Sequence, residues 1–189
     1  MTVAQALAQI CQQSAISLVT HVPGFGASQV FQACNSLKEW PMSYHEEVAL
    51  GMTLGAALSG HPSLCLIKMH GLLKAANALV CGLSAGVSAA CVIVVFDDPG
   101  GGHSDNQLPT LQILQGLEVP LDWVDDPQAA PQALWDSLQR SQAQQLPRVL
   151  VIDSAAVDQE FQGALPKGSL APVLWQPDPV GQLVCPLFG

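Results

Sequence analysis

His45-Glu46-Glu47, His70-Gly71 and Asp97-Asp98-Pro99-Gly100-Gly101-Gly102-His103 are the segments of this chain whose side chains could move a proton or face a ligand. Carboxylates and imidazoles are the usual general acids and bases near neutral pH. Glycines let a backbone come close to whatever it binds. His45, His70 and His103, with Asp97 or Asp98, are also metal-ligating types, but their spacing fits no dedicated zinc pattern. Gly24-Phe25-Gly26 opens like a dinucleotide-binding turn. Position 29 is Gln where that fingerprint needs its third glycine, and no ribose-binding acid is clearly placed further on. Gly82-Leu83-Ser84-Ala85-Gly86 matches the nucleophile-elbow pattern, which needs a strand before the serine and a helix after it. Here the order is helix then strand, so a serine hydrolase is rejected.

The elements around these residues alternate. Thr2 to Gln13 has helical spacing, Ile16 to Val22 reads as a strand, and Ser28 can cap a helix running to about Leu37. A short extended piece is expected near Pro41 to Tyr44, then a helix over Glu46 to Ser59 and a buried strand over Ser63 to Met69. Gly71 to Leu83 reads as one helix and Ala89 to Phe96 as a fully apolar strand. Helix, strand, helix and strand follow over Pro109 to Gln115, Val119 to Val124, Gln128 to Gln144 and Arg148 to Asp153. Strands apolar throughout are covered on both faces, which predicts a doubly wound α/β domain over residues 1–154, its sheet mainly parallel. In such a sheet ligands bind at the carboxyl ends of the strands. Gly24, Glu46, His70, Gly71, Asp97 and His103 all fall after predicted strands, so one edge gathers them. Residues 155–189 carry Pro166, Pro172, Pro177, Pro179 and Pro186, and read either as a disordered tail or as an arm packed on a partner.

Composition narrows the classes. Of the 189 residues 49% are hydrophobic and 11% charged, too few polar groups to cover a lone small domain, so extensive subunit contact is expected. Val48 to Leu58 and Leu72 to Leu83 are apolar or small almost all round, which places both helices at an interface, with Gly51 and Gly55 one turn apart for close approach. Six Lys and Arg in a chain of net charge -9 form no basic cluster, which argues against nucleic acid and against an anionic membrane surface. Val48 to Leu58 is too short to span a bilayer, and the N-terminus does not read as a signal peptide. The six cysteines are widely spaced without a C-x-x-C pair, so reduced thiols in the cytoplasm are expected rather than an iron–sulfur or zinc site.

At Tyr44-His45-Glu46-Glu47-Val48-Ala49-Leu50-Gly51 the sequence resembles the segment that carries the cofactor-activating glutamate in thiamine-diphosphate-dependent enzymes. Ala56-Ala57-Leu58-Ser59-Gly60, Lys68-Met69-His70-Gly71-Leu72 and Asn77-Ala78-Leu79 continue the likeness. Val92 to Gly100 with His103-Ser104 resembles the matching loop of the indolepyruvate ferredoxin oxidoreductase large subunit. Sulfopyruvate and phosphonopyruvate decarboxylases are similar over the same region, about residues 3–154, and in the sulfopyruvate enzyme this pyrimidine-binding (PYR) domain is a separate short chain.

The resemblance implies thiamine diphosphate as cofactor and Glu46 as the acid that hydrogen-bonds its pyrimidine ring and keeps its proton near neutral pH in a water-poor pocket. From position alone Glu46 is a first-turn acid stabilised by the helix dipole. Glu47 is expected to face away or cap the helix. Gly24, Gly71 and Asn77 fill cofactor-side positions, although Asn77 serves equally as a helix-packing hydrogen bond. His70 and His103 are assigned to the substrate carboxylate or to proton relay. The family holds the diphosphate and a divalent metal, Mg2+, on a second domain through Gly-Asp-Gly and a downstream Asn, and this chain has neither pattern. A partner chain carrying that diphosphate-binding domain is therefore required, with self-association into an even-numbered assembly. A two-chain 2-oxo acid decarboxylase is the first reading. A 2-oxo acid ferredoxin oxidoreductase, with its redox centres on the partner, and a non-catalytic binding domain are the alternatives.

Overall fold

The computed structural model describes residues 1–102 and 107–171; His103 and the chain from 172 onward lie outside the described residues. Five strands form one sheet: β1 (Leu18–His21), β2 (Ser63–Lys68), β3 (Cys91–Asp97), β4 (Leu121–Val124) and β5 (Arg148–Asp153). Their spatial order is β1-β2-β3-β5-β4 and every pairing is parallel. The helices are α1 (Val3–Gln13), α2 (Ala27–Leu37), α3 (Glu46–Leu58), α4 (Met69–Lys74), α5 (Ala76–Ala85), α6 (Thr110–Gly116) and α7 (Ala130–Gln144).

Side chains alternate along a strand, so each central strand feeds two cores. Leu64, Leu66, Val92, Val94, Leu150 and Ile152 pack with α1, α2 and α7 on one face. Cys65, Ile67, Ile93, Val95, Val149 and Val151 pack with α3, α4, α5 and α6 on the other. This is the doubly wound α/β domain the apolar strands predict.

Local chemistry sets the ends of the helices. The Thr2 hydroxyl accepts from the Gln5 amide while the Gln5 side chain accepts from the Thr2 amide, a reciprocal cap on α1. Helix α2 starts from Gly26 and not from a Ser28 cap. Gln29 accepts from the Gly26 amide, and Ser28 Oγ reaches back to accept from the Gly24 amide at 3.1 Å.

Two expectations change. Residues 41–44 form no strand: the Ser43 amide donates once to the His21 carbonyl, at 3.0 Å, and no ladder follows. Pro41 lacks an N–H and cannot contribute to one. The single helix expected over Gly71 to Leu83 is two helices that meet at Ala75. Residues 155–171 pack on the domain. Val157 and Phe161 are buried, Thr2 bridges Glu160, and the Gln142 side chain donates to the Ala171 carbonyl at 2.7 Å. No helix among the described residues is long and apolar enough to cross a membrane.

Candidate cofactor site

Helix α3 runs back across the sheet. Its Ala49 carbonyl accepts from Thr20 Oγ1 late in β1, and its Thr53 carbonyl accepts from Ser63 Oγ at the start of β2. Its first residue, Glu46, therefore stands at the carboxyl edge of the strands. The Glu46 side chain is 14% exposed, and its Oε2 lies 2.8 Å from Lys74 Nζ at the end of α4. Oε2 is buried and among the described residues meets hydrogen-bond geometry with no donor, so the ammonium is its compensation. Burial pushes the Glu46 carboxyl up. The Lys74 ammonium, the residue's own amide and the positive charge of Lys74 and His45 outweigh it, and together hold the carboxyl below its ordinary range. This direction is opposite to the proton-retaining carboxyl that the resemblance implies: in this chain alone Glu46 is an ion-paired carboxylate. Glu47 faces outward, with Asn77 Nδ2 at 3.5 Å from its Oε1, a long contact. Asn77 thus faces the first turn of α3.

Gly24 and Gly71 are both required by close approach, but what approaches is this chain itself. A Cβ on Gly24 would stand 2.7 Å from Lys68 Cγ. One on Gly71 would stand 2.7 Å from Ile67 Cγ1 and 2.8 Å from Glu46 Cγ. The β2–α4 corner, Lys68 to Gly71, thus joins Glu46 on one side to the β1–α2 loop on the other.

Lys68 is the residue that pattern reading missed. It ends an otherwise apolar strand, and that lone cation at the edge was the available signal. Its Nζ is buried and makes no hydrogen bond among the described residues. Burial pushes its ammonium down in pKa, against the opposing pull of Asp98, Asp97 and Asp153. His70 sits beside it with Nε2 buried and unbonded among the described residues. Lys68, Met69, His70, Phe96, Asp97, Asp98 and Leu108 line a cavity of about 10 Å³, space on the order of one water molecule. A substrate pocket at this edge needs walls from elsewhere. A much larger cleft, about 420 Å³, opens at the amino edge between the ends of α1 and α2, where Cys11, Ile16, Cys34 and Trp40 help to line it. It is at the far end of the sheet from Glu46.

The helices flanking Glu46 are unfinished surfaces. Val48, Met52, Leu73 and Val80 are 52%, 42%, 38% and 46% exposed. Gly51 and Gly55 have open space where a Cβ would project. These helices are not buried all round within the chain, and their apolar outer faces are exposed. Helix α5 meets α3 on its inner side, where Gly82 admits Leu54.

Of the six Lys and Arg, five are engaged within the chain, and Lys167 is exposed after β5. Lys38 lies over the Trp40 ring, Lys68 faces three aspartates, Lys74 holds Glu46, and Arg140 and Arg148 both hold Asp122. Among the described residues no group of three or more His, Cys, Asp or Glu side chains is placed to hold a metal ion.

The doubly wound parallel fold is shared with part of several larger enzymes, one of them described as thiamin diphosphate-dependent. A benzoylformate decarboxylase from Polynucleobacter necessarius superposes with TM-score 0.72 at 14% identity, over 86% of this chain and 32% of its own. A protein described as a thiamin diphosphate-dependent enzyme, from Mycobacterium smegmatis, gives 0.70 at 17% over 91% and 34%. A 2-oxoglutarate:ferredoxin oxidoreductase from Magnetococcus marinus gives 0.69 at 16% over 84% and 30%. In sequence the chain is similar to the indolepyruvate oxidoreductase subunit IorA of Methanothermobacter thermautotrophicus, 25% identical over 143 residues, and to that of Methanothermobacter marburgensis at 24%. Those matches take in 73% of this chain but only 23% of each relative. No family model matches the chain.

Proposed function

We propose that this chain is the pyrimidine-binding subunit of a cytoplasmic, two-chain 2-oxo acid decarboxylase that depends on thiamine diphosphate. The observation that carries the reading is Glu46: a carboxylate on the first turn of α3, at the carboxyl edge, bordered by uncovered apolar helix faces. A carboxylate beside apolar surface suits an aminopyrimidine ring. The engaged cations do not suit a diphosphate, so the partner supplies the diphosphate and Mg2+ sites. Thiamine diphosphate, when bound, supplies the carbon nucleophile that attacks the 2-oxo group. With the cofactor bound, Glu46 would hold or release a proton at its carboxylate oxygen. Covering α3 and α5 with the partner excludes water from Glu46, and desolvation raises a carboxyl's hold on its proton. Gly71 keeps the space beside Glu46 clear of a side chain, Gly24 does the same over Lys68, and Asn77 stands at the cofactor side facing the first turn of α3. His70 and His103 serve the substrate carboxylate or a proton relay.

A 2-oxo acid oxidoreductase is the second reading, favoured by the name of the IorA relatives. It places the redox centres on the partner. Affinity purification of the tagged chain from its native cells, with mass spectrometry of what accompanies it, separates the readings. A companion with Gly-Asp-Gly supports the decarboxylase, and one that also carries iron–sulfur motifs supports the oxidoreductase. In the reconstituted complex Glu46→Gln is expected to lower kcat by about 10²-fold or more. Recovery of the chain alone, under conditions that preserve weak complexes, overturns both in favour of a non-catalytic binding domain.

A further inference from the structure

We propose that Lys74 is a positioning residue for Glu46, anchoring the buried carboxylate oxygen so that the rest of the acid is presented at the carboxyl edge. The inference rests on the cofactor reading for its purpose, but its geometry is independent of it. Helix α4 grips Glu46 from two positions on one face. Residues three apart on a helix lie on the same side, and Gly71 and Lys74 are three apart. Gly71 withholds a side chain where Glu46 Cγ passes, 2.8 Å from the place a Cβ would take. Lys74 adds an ammonium 2.8 Å from Oε2. Helix α4 ends immediately after Lys74, at the Ala75 turn, which holds this residue at the corner between α4 and α5.

The pair is asymmetric. The Lys74 side chain is 64% exposed, while the Glu46 side chain is 14% exposed and its Oε2 is buried. An exposed ion pair constrains little, because both members keep their water and their rotamers. Here one oxygen has given up its water and has the ammonium as its compensation, so loss of Lys74 must move the carboxylate or change its protonation. What exposure Glu46 retains lies away from Oε2, on the part left to meet a ligand. His45, the residue before it, adds a weaker attraction, and Glu47 beside it is turned outward.

The test uses the full chain without cofactor, with ¹³C-labelled glutamate and the Glu46 resonance assigned by its loss in Glu46→Gln. In Lys74→Met the Glu46 titration midpoint is expected to rise by about half a unit to one unit, a threefold to tenfold gain in proton affinity. The nuclear Overhauser contact between Glu46 Hγ and Gly71 Hα weakens in parallel. Lys74→Arg restores both. An unchanged midpoint and contact in Lys74→Met overturn the proposal. Because no cofactor is present, failure of the cofactor reading leaves this result untouched. That reading is tested separately, by adding thiamine diphosphate to the complex with Lys74 intact.

Discussion

His21 makes this domain lose stability as the pH falls below 6.5. Its imidazole is 3% exposed and stacks on Phe31, with ring centroids 4.4 Å apart. Its Nε2 lies 3.2 Å from Ser28 Oγ, and its buried Nδ1 has no hydrogen-bond partner among the described residues. Burial lowers its pKa from 6.5 to about 4. The unfolded chain therefore binds a proton at 6.5 that the folded chain refuses until about 4. The stabilisation is fully present above 6.5 and is lost progressively as the pH falls toward 4. With those two values, linkage gives a loss of roughly 2 kcal/mol between pH 7.5 and pH 5, and about 3 kcal/mol once both forms are protonated. His21→Phe keeps a ring on Phe31 and removes the titration. Urea unfolding of both proteins at pH 7.5 and 5 isolates the effect, since carboxylates contribute equally to each. Wild type should lose about 2 kcal/mol more than the variant. An equal loss in both would refute the assignment of a neutral buried imidazole. The consequence reaches the candidate site, because Ser28 Oγ also holds the Gly24 amide and the His21 carbonyl holds Ser43.

Two further outcomes test the packing and the uncovered face. Asp122 accepts from Arg148 through both oxygens and also from Ser137, and pairs with Arg140 at 2.9 Å. Asp122→Asn should cost about 3 kcal/mol by leaving the buried Arg148 guanidinium under-compensated, read as a lower urea midpoint at unchanged slope. Met52→Glu on the outer face of α3 should leave the isolated chain within about 0.5 kcal/mol of wild type while abolishing recovery of the partner in affinity purification. A partner retained by Met52→Glu would place the docking surface elsewhere.

How much of this was legible from sequence depended on whether the cause was local. Continuous apolar runs fixed β3 and β5 to within two residues, because a strand buried on both faces leaves no other pattern. Arg148–Asp153 coincides with its expectation. The piece at residues 41–44 was read from composition, but strand identity needs a neighbour to pair with, and among the described residues one backbone bond forms. Gly24 and Gly71 were legible as places of close approach, yet nothing in a glycine says whether a ligand or a side chain approaches it. The ion pair joining Glu46 to Lys74 spans two helices and a strand, so no spacing rule reaches it. The apolar outer faces of α3 and α5 were legible as faces with no polar side, and Val48, Met52 and Val80 are exposed on them.

The two unfinished features of the chain bear on each other. Glu46 is the first residue of α3, and the exposed stripe Val48, Gly51, Met52 and Gly55 continues along the same helix. A subunit that buries the stripe also removes water from its first turn. Desolvation then works against the Lys74 ammonium: one raises the proton affinity of Glu46, the other lowers it. In the isolated chain the ammonium wins. In the proposed enzyme the balance is set by how dry the partner makes the corner and by whether Lys74 keeps its place there. An acid poised between these two influences can give up and recover a proton, whereas one held by either alone would stay in a single form. The decarboxylase reading therefore requires the protonation of Glu46 to depend on the partner. Its carboxyl resonance should titrate at higher pH in the complex than in the free chain, and the same midpoint in both would leave Glu46 a structural acid.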